Sequence, residues 1–386
     1  MPIRHSIALL LPACLMAMHA PVYAGAPGLA VTVAGPPAAV FTKTRDACSP
    51  DDIPDAPARA VRLPSGQVLL FAPHFLNRVS SGPDLMHLRH ACRIVFAGAE
   101  SADPARFDDR TWIAATWTPD GGRSIIAVLH DEFQGHRHAG LCPTGQYMDC
   151  WYNALAMAVS RDGGGSFARV PGIVAALPYR YSEVVGEHRG YFNPSGIVEL
   201  DGSLHMFAFA TRAGAQAPGN CLLRTTRIAD PGAWRAWDGT GFGASFIDPY
   251  ARPADPAGHV CAPVGAGRLR WPVTSLVRHG QSGLFLAFMQ DGSRGAGGFW
   301  YATSADLVHW SEPAQLMPAV GLGAWQPGDP PPLAYPSVLD PSSPDANFQT
   351  VGAAPLLYAT RFNGVTPGHP GMDRDLIAIP LHISVQ

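Results

Sequence analysis

Short apolar runs bounded by Gly, Pro, Asp and Ser, the lack of long amphipathic helical stretches, and a strand unit that recurs through the second half predict an all-β chain folded as a five-bladed β-propeller. Among 386 residues, 41 are Gly and 38 are Pro, both well above ordinary usage, so turns are frequent and strands short. The runs include "ARAVRLPSGQVLLFAP", "TWIAATWTPDGGRSIIAVLH", "ALAMAVSRDGGGSF", "SGIVELDGSLHMFAFAT", "LFLAFMQDG", "GFWYATSADLVHW" and "PLLYATRF".

The recurrence gives the blades. "YFNPSGIVELDGSLHMFAFATR" leads to "CLLRTTRIADPGAW", "RWPVTSLVRHGQSGLFLAFMQDG" to "GFWYATSADLVHW", and "AYPSVLDP" to "APLLYATRF". Each unit opens on an aromatic and a Pro, runs through an apolar strand and a Gly or Asp turn into a second, and continues to a third ending near Thr or Ser. Three such units of roughly 65 to 80 residues, with room for two more upstream, fit five repeated sheets around a channel. Asp230 to Trp234 and Asp306 to Trp310 are both Asp-x-x-x-Trp, and Asp162 to Phe167 is one residue longer. In such turns the Asp accepts backbone N–H groups and the aromatic tucks between blades, so these residues are read as structural.

Residues 1–24 read as a signal peptide: one Arg in Met-Pro-Ile-Arg, an apolar core from Ile7 to Met18, and small residues before a cut after Ala24. Residues 25–386 are then a single propeller domain of a secreted or periplasmic protein. Lipidation at Cys14 is the lesser alternative, since Leu11-Pro12-Ala13 is an atypical lipoprotein box. Six cysteines remain, Cys48, Cys92, Cys142, Cys150, Cys221 and Cys261, an even number that suits disulfides in an oxidising compartment. Cys142 and Cys150 are the best pair; the other pairings stay open, and a zinc site is the competing reading although no CxxC occurs. With 15% charged residues and a formal charge of −3, neither nucleic acid nor an anionic membrane is expected as a partner, and no later apolar run approaches a membrane span. A monomer is expected. Only Lys43 among the 27 basic residues is a lysine.

The turns carry a resemblance. "SRDGGGSF", Ser160 to Phe167, looks like the Asp box of sialidases and other propellers, and "ATSADLVHWSEP" resembles a turn common in five-bladed glycoside hydrolases such as arabinanases, xylosidases and invertases. That resemblance implies hydrolysis of a glycosidic bond by paired carboxylates, with a catalytic Asp at the start of the first blade's inner strand, where Asp55 stands. Those families usually carry the Glu on the third blade, and this chain departs from them by offering Asn193 there, with Glu183 in the preceding loop.

In a propeller the inner strands converge on the channel mouth, where polar groups can face one ligand. The expected ring comprises Asp52 and Asp55 before the strand from Ala58, then His130, Asp131 and Glu132 in "HDEFQGHRH", Asn193, Arg270 with Trp271, and Tyr335, with Arg59 alternating on the first strand. Carboxylates, an amide, a guanidinium and aromatic faces suit a sugar. Glycoside hydrolysis needs one carboxyl to protonate the leaving oxygen and another as base or nucleophile. Glu132 is assigned the first role and Asp55 the second, with Asp131 keeping Glu132 protonated and Glu183 a rival acid. Asp52, Arg59, His130, Asn193, Arg270, Trp271 and Tyr335 are assigned to substrate binding. No cofactor and no catalytic metal is called for; His130, His136 and His138 make only a weak local metal set, and a structural cation in the channel, which some members of those families hold, stays open. Two alternatives remain: a lectin-like propeller that binds a glycan without cleaving it, and a sialidase-like enzyme using Tyr335 and arginines such as Arg59, Arg212, Arg270 and Arg361.

Overall fold

The computed structural model describes residues 28–251, 255–367 and 369–386. The expected signal peptide and Cys14 lie outside the described residues.

The described strands form mostly antiparallel meanders that follow one another along the chain and group as five blades. A parallel pairing of Tyr152 and Asn153 with Arg189 and Gly190 joins the second and third into one ten-stranded sheet, and Leu76–Asn77 with Phe96–Ala97 makes a separate two-stranded sheet. The first blade uses Arg59–Arg62, Val68–Phe71, Ser80–Gly82 and Arg89–His90. The second uses Arg110–Trp117, Ile125–Gln134, Trp151–Ser160 and Ala168–Ala175. In the third, an inner strand broken into Arg189–Phe192 and Val198–Leu200 is followed by Ser203–Ala210, Gly219–Thr225 and Arg235–Ala236. The fourth is Val273–His279, Phe285–Asp291, Gly298–Ser304 and Ala314–Pro318. Leu333–Leu339, Leu356–Phe362 and Arg374–Val385 make the fifth, whose outer strand, Leu29–Val33, comes from the other end of the described chain. Each sheet is packed between two others, so its middle strands are buried on both faces. That is why Phe285–Asp291 and Leu356–Phe362 read as continuous apolar runs rather than as alternation.

The axis of the ring is held by one side chain. Arg59 is 4% exposed, and all five of its N–H donors are satisfied. They go to the carbonyls of Ala58 at 3.0 Å, Ala114 at 2.9 Å, Pro194 at 2.8 Å and Thr274 at 2.7 Å, and to the Ser337 hydroxyl at 2.9 Å. These acceptors come from the inner segments of blades one to five, one from each. Burial lowers the guanidinium to about 9, so it stays charged at neutral pH without a carboxylate partner. Assigned above to substrate, Arg59 is instead spent on the five inner segments. The oxygens around it serve this internal cation rather than a metal ion.

Those carbonyls reach the axis because the inner strands are irregular. Asn193 and Tyr335 take left-handed conformations, φ 43° and 59°, directly before Pro194 and Pro336. The register slips between Ala334 and Ser337 in the fifth blade and between Val273 and Ser275 in the fourth. The aromatic–Pro signature at the start of each repeat marks these bulges.

The aspartate turns behave as expected. Asp162 accepts the Ser166 N–H at 3.0 Å, Asp306 those of Val308 and His309 at 2.9 and 2.8 Å, and Asp230 that of Gly232 at 3.0 Å. Phe167 meets Phe71 of the first blade edge-on at 5.9 Å, and Trp310 meets Phe207 of the third at 5.8 Å. The six cysteines pair as Cys48–Cys92, Cys142–Cys150 and Cys221–Cys261. No described helix is long and apolar enough to cross a membrane.

Candidate active site

Asp55 sits in Pro54-Asp55-Ala56-Pro57, an irregular segment with a bend at Ala56 just ahead of the first inner strand. Oδ1 accepts from the Tyr335 hydroxyl at 3.1 Å and is paired with the Arg374 guanidinium; the His74 ring lies 3.7 Å from Oδ2. Tyr335 is turned toward it by the bulge in the fifth blade, and Arg374 starts that blade's third strand, its guanidinium 4.5 Å over the Phe362 ring. The Asp55 side chain is 17% exposed, held on several sides but open on one.

Glu132 comes from the second blade, and here the expected placement changes. The inner strand is Arg110–Trp117, while His130, Asp131 and Glu132 lie within the next strand outward, paired with Trp112, Thr111 and Arg110. The stretch is thus neither a surface loop nor the tip of an inner strand. Side chains alternate along it, so Glu132 and Gln134 share a side, and the Gln134 amide donates to Glu132 Oε2 at 2.8 Å. Burial pushes the Glu132 carboxyl up to about 8, opposed by that hydrogen bond and reinforced by the charges of Asp55 and Asp131. Asp55 and Glu132, from adjacent blades, are linked through Arg110, which pairs with Glu132 and covers Phe75, and His74, which meets Phe75 at 4.5 Å and lies beside Asp55.

The other expected residues divide. Tyr335 joins the pair. Asp131 points to the other side of the strand, accepts the Asp109 N–H at 3.0 Å, and is pushed up to about 8 chiefly by burial. His130 is buried with Trp112 and Phe192 around it, hydrogen-bonded to Asn153, whose carbonyl oxygen meets His188 at 3.2 Å; burial lowers His130 to about 3 and His188 to about 4, so both are neutral.

Asp52 is turned away from Asp55, toward the Cys48 N–H and His90 at 2.8 and 3.0 Å. It therefore braces the first blade rather than facing the mouth. Asp52, His90 and Cys48 also have metal-like spacing, yet the Cys48 sulfur is spent on Cys92. Glu183 is exposed and accepts the Arg180 N–H at 2.7 Å, capping the short helix Tyr181–Val184. Arg270 is exposed beside Glu312, and Trp271 lies against Trp300 at 5.3 Å in the fourth blade. Asn193 serves the bulge. Neither Arg270 nor Trp271 touches the groups around Asp55 and Glu132 through any of these contacts.

Several neighbours of the pair escaped sequence reasoning. Arg110, with its guanidinium 4.0 Å over the Phe75 ring, partners Glu132 across the strand pair, and Trp112 lies 5.7 Å from the His74 ring. "DRTWIAATW" has the aromatic that opens other inner strands but no Pro, so the repeat was not recognised there. Arg374, in "MDRDLIAIP", gave no signal, because its role depends on blade closure.

Consecutive β-sheets arranged around a common axis are the architecture of β-propellers, and solved structures carry the same fold. The catalytic domain of a GH62 α-L-arabinofuranosidase from Coprinopsis cinerea matches with a TM-score of 0.53 and 11% identity over 91% of this chain and 96% of its own. An α-L-arabinofuranosidase from Podospora anserina, in complex with cellotriose, matches at 0.51 and 10% over 89% and 95%. No family model matches the sequence, and no curated protein does.

Proposed function

We propose that this chain is a secreted glycoside hydrolase that cleaves a poly- or oligosaccharide at the channel mouth, with Glu132 as the proton donor and Asp55 as the base or nucleophile. The observation that carries this reading is the contrast between the two carboxyls. Glu132 is pushed up to about 8 and so keeps its proton at neutral pH, as a donor to a leaving oxygen must. Asp55, by contrast, is paired with the Arg374 guanidinium and accepts the Tyr335 hydroxyl. One acid that holds a proton, beside a second carboxyl fixed by a guanidinium and a phenol, meets the two-carboxyl requirement of glycoside hydrolysis.

Tyr147, 56% exposed, suits the apolar face of a sugar ring. The names of the two fold neighbours place arabinose-bearing polysaccharides first among substrates to try. Three disulfides support an oxidising, extracytoplasmic location. Of the arginines a sialidase-like reading would recruit, Arg59 is on the axis, Arg270 is beside Glu312, and Arg361 is 2.7 Å from Asp375.

The test is reducing-sugar release from plant and bacterial polysaccharides by the wild type, Asp55→Asn and Glu132→Gln. Turnover lost in both folded variants, with glycan binding kept, supports the assignment. Binding without turnover in the wild type, unchanged by either substitution, would replace it with the lectin reading.

A further inference from the structure

The loop between the two central strands of the second blade is built in a way the hydrolytic pair alone does not require. Between Gln134 and Trp151 the chain leaves and returns within one hairpin, and Cys142–Cys150 ties the outgoing tip back to the strand. Its base is fixed further: the Tyr181 hydroxyl donates to the Leu141 carbonyl at 2.6 Å, and the Gly186 N–H to that of Asp149 at 2.8 Å. At the tip of this fastened loop stand two large apolar side chains turned to solvent, Tyr147 at 56% exposure and Met148 at 43%. Exposed tips ordinarily carry small polar residues.

Tyr147 is nonetheless held in place. Its ring meets those of Trp151 and His136 edge-on, at 4.8 and 4.9 Å. The ring reaches the neighbourhood of Glu132 through packed partners: Trp151, which it meets, pairs across the hairpin with Gln134, whose amide donates to Glu132 at 2.8 Å. A rigid aromatic, braced on two sides and still more than half open, can bind a flat apolar surface at little ordering cost. It shares its hairpin with Glu132, the residue that would protonate the leaving oxygen, so the sugar it would cover is the departing one.

We infer that Tyr147 is a specificity-determining residue that stacks on the sugar of the leaving-group side, and that the Cys142–Cys150 loop presents it there. This rests on the hydrolase reading, and it narrows the substrate class to glycans with at least one sugar beyond the cleaved bond.

The experiment uses wild type, Tyr147→Ala, Tyr147→Phe and the Cys142→Ser/Cys150→Ser double variant. Two readouts are needed: retardation by arabinan, arabinoxylan and xyloglucan in affinity electrophoresis, and kcat/KM on those polysaccharides relative to a glycosyl fluoride, whose leaving group has no ring. Expected is a fall of about tenfold in that ratio for Tyr147→Ala, restoration by Tyr147→Phe, and an intermediate loss for the double variant. An unchanged ratio in Tyr147→Ala, with the wild type active, overturns this inference and leaves the hydrolase reading standing. Should the wild type bind these glycans without turnover, the hydrolase reading falls and this inference falls with it, since no sugar then departs. A wild type that neither binds nor cleaves any of them overturns both.

Discussion

The Tyr335 hydroxyl donates to Asp55 Oδ1 at 3.1 Å across 280 residues of sequence. Asp55 begins the first blade and Tyr335 lies in the last, and the bulge that gives Tyr335 a φ of 59° turns its ring toward the mouth. Closing the ring and orienting the candidate base are thus one event. Tyr335→Phe removes the hydrogen bond and should lower kcat roughly tenfold with little change in melting temperature. Arg374→Gln takes away the facing charge and should cost about a hundredfold. Steady-state kinetics beside thermal unfolding check both, and equal losses of stability and activity would count against a positioning role.

Glu132→Gln keeps the shape of the side chain and the contact with Gln134 while removing the transferable proton. Turnover on natural glycans should fall by about 10² to 10⁴. The loss should be smaller on a glycosyl fluoride, whose leaving group needs no proton; equal losses on both would argue against Glu132 as the donor.

A donor that titrates near 8 sets a pH profile. kcat/KM should decline above about 8 as Glu132 loses its proton, and Glu132→Gln should lack that limb. Stability carries the same sign. The carboxyl is raised from an ordinary 4.5, so the folded chain holds a proton the unfolded chain has released. The contribution is whole below about 4.5 and is lost as pH rises through about 8. Denaturant midpoints at pH 5 and 9 should therefore differ less in Glu132→Gln than in the wild type. Asp131, also raised to about 8, keeps its own share in both proteins.

Arg59→Ala would take the axial donor from the carbonyls of Ala114, Pro194 and Thr274, while the Ala58 carbonyl keeps the Ser337 hydroxyl at 2.6 Å. A loss of more than about 3 kcal/mol is expected. Low concentrations of guanidinium, far below denaturing ones, should restore part of the melting temperature in Arg59→Ala and none in the wild type. Absence of rescue would mean that the cavity collapses instead of keeping the shape of its former occupant.

Much of the architecture was legible because strands packed on both faces need unbroken apolar runs and sharp turns, and Asp162, Asp230 and Asp306 announce those turns by residue type. Cys142 and Cys150 were legible as neighbours along the chain. Asp55, Glu132 and Tyr335, the residues of the proposed site, stand out in the sequence as charged or aromatic residues beside apolar strands. Arg59 was seen but misassigned: alternation along a strand tells which way a side chain points, not whether water or five backbone segments wait there. Arg374 and Arg110 were missed for a related cause. Their partners, Asp55 and Glu132, lie on other strands, and only three-dimensional closure makes an ordinary arginine a neighbour of a carboxyl.

Leu29 to Val33 pair residue by residue with Val385 to Leu381, so the fifth sheet joins the two ends of the described chain. During synthesis the strand at one end waits, unpaired, until the other end has emerged, and Arg59 waits with it for Ser337. A nascent chain halted before residue 374 is therefore an open arc rather than a smaller wheel. Its first and last sheets expose raw edges that invite pairing with another molecule, so truncation should show itself as aggregation before it shows as lost activity.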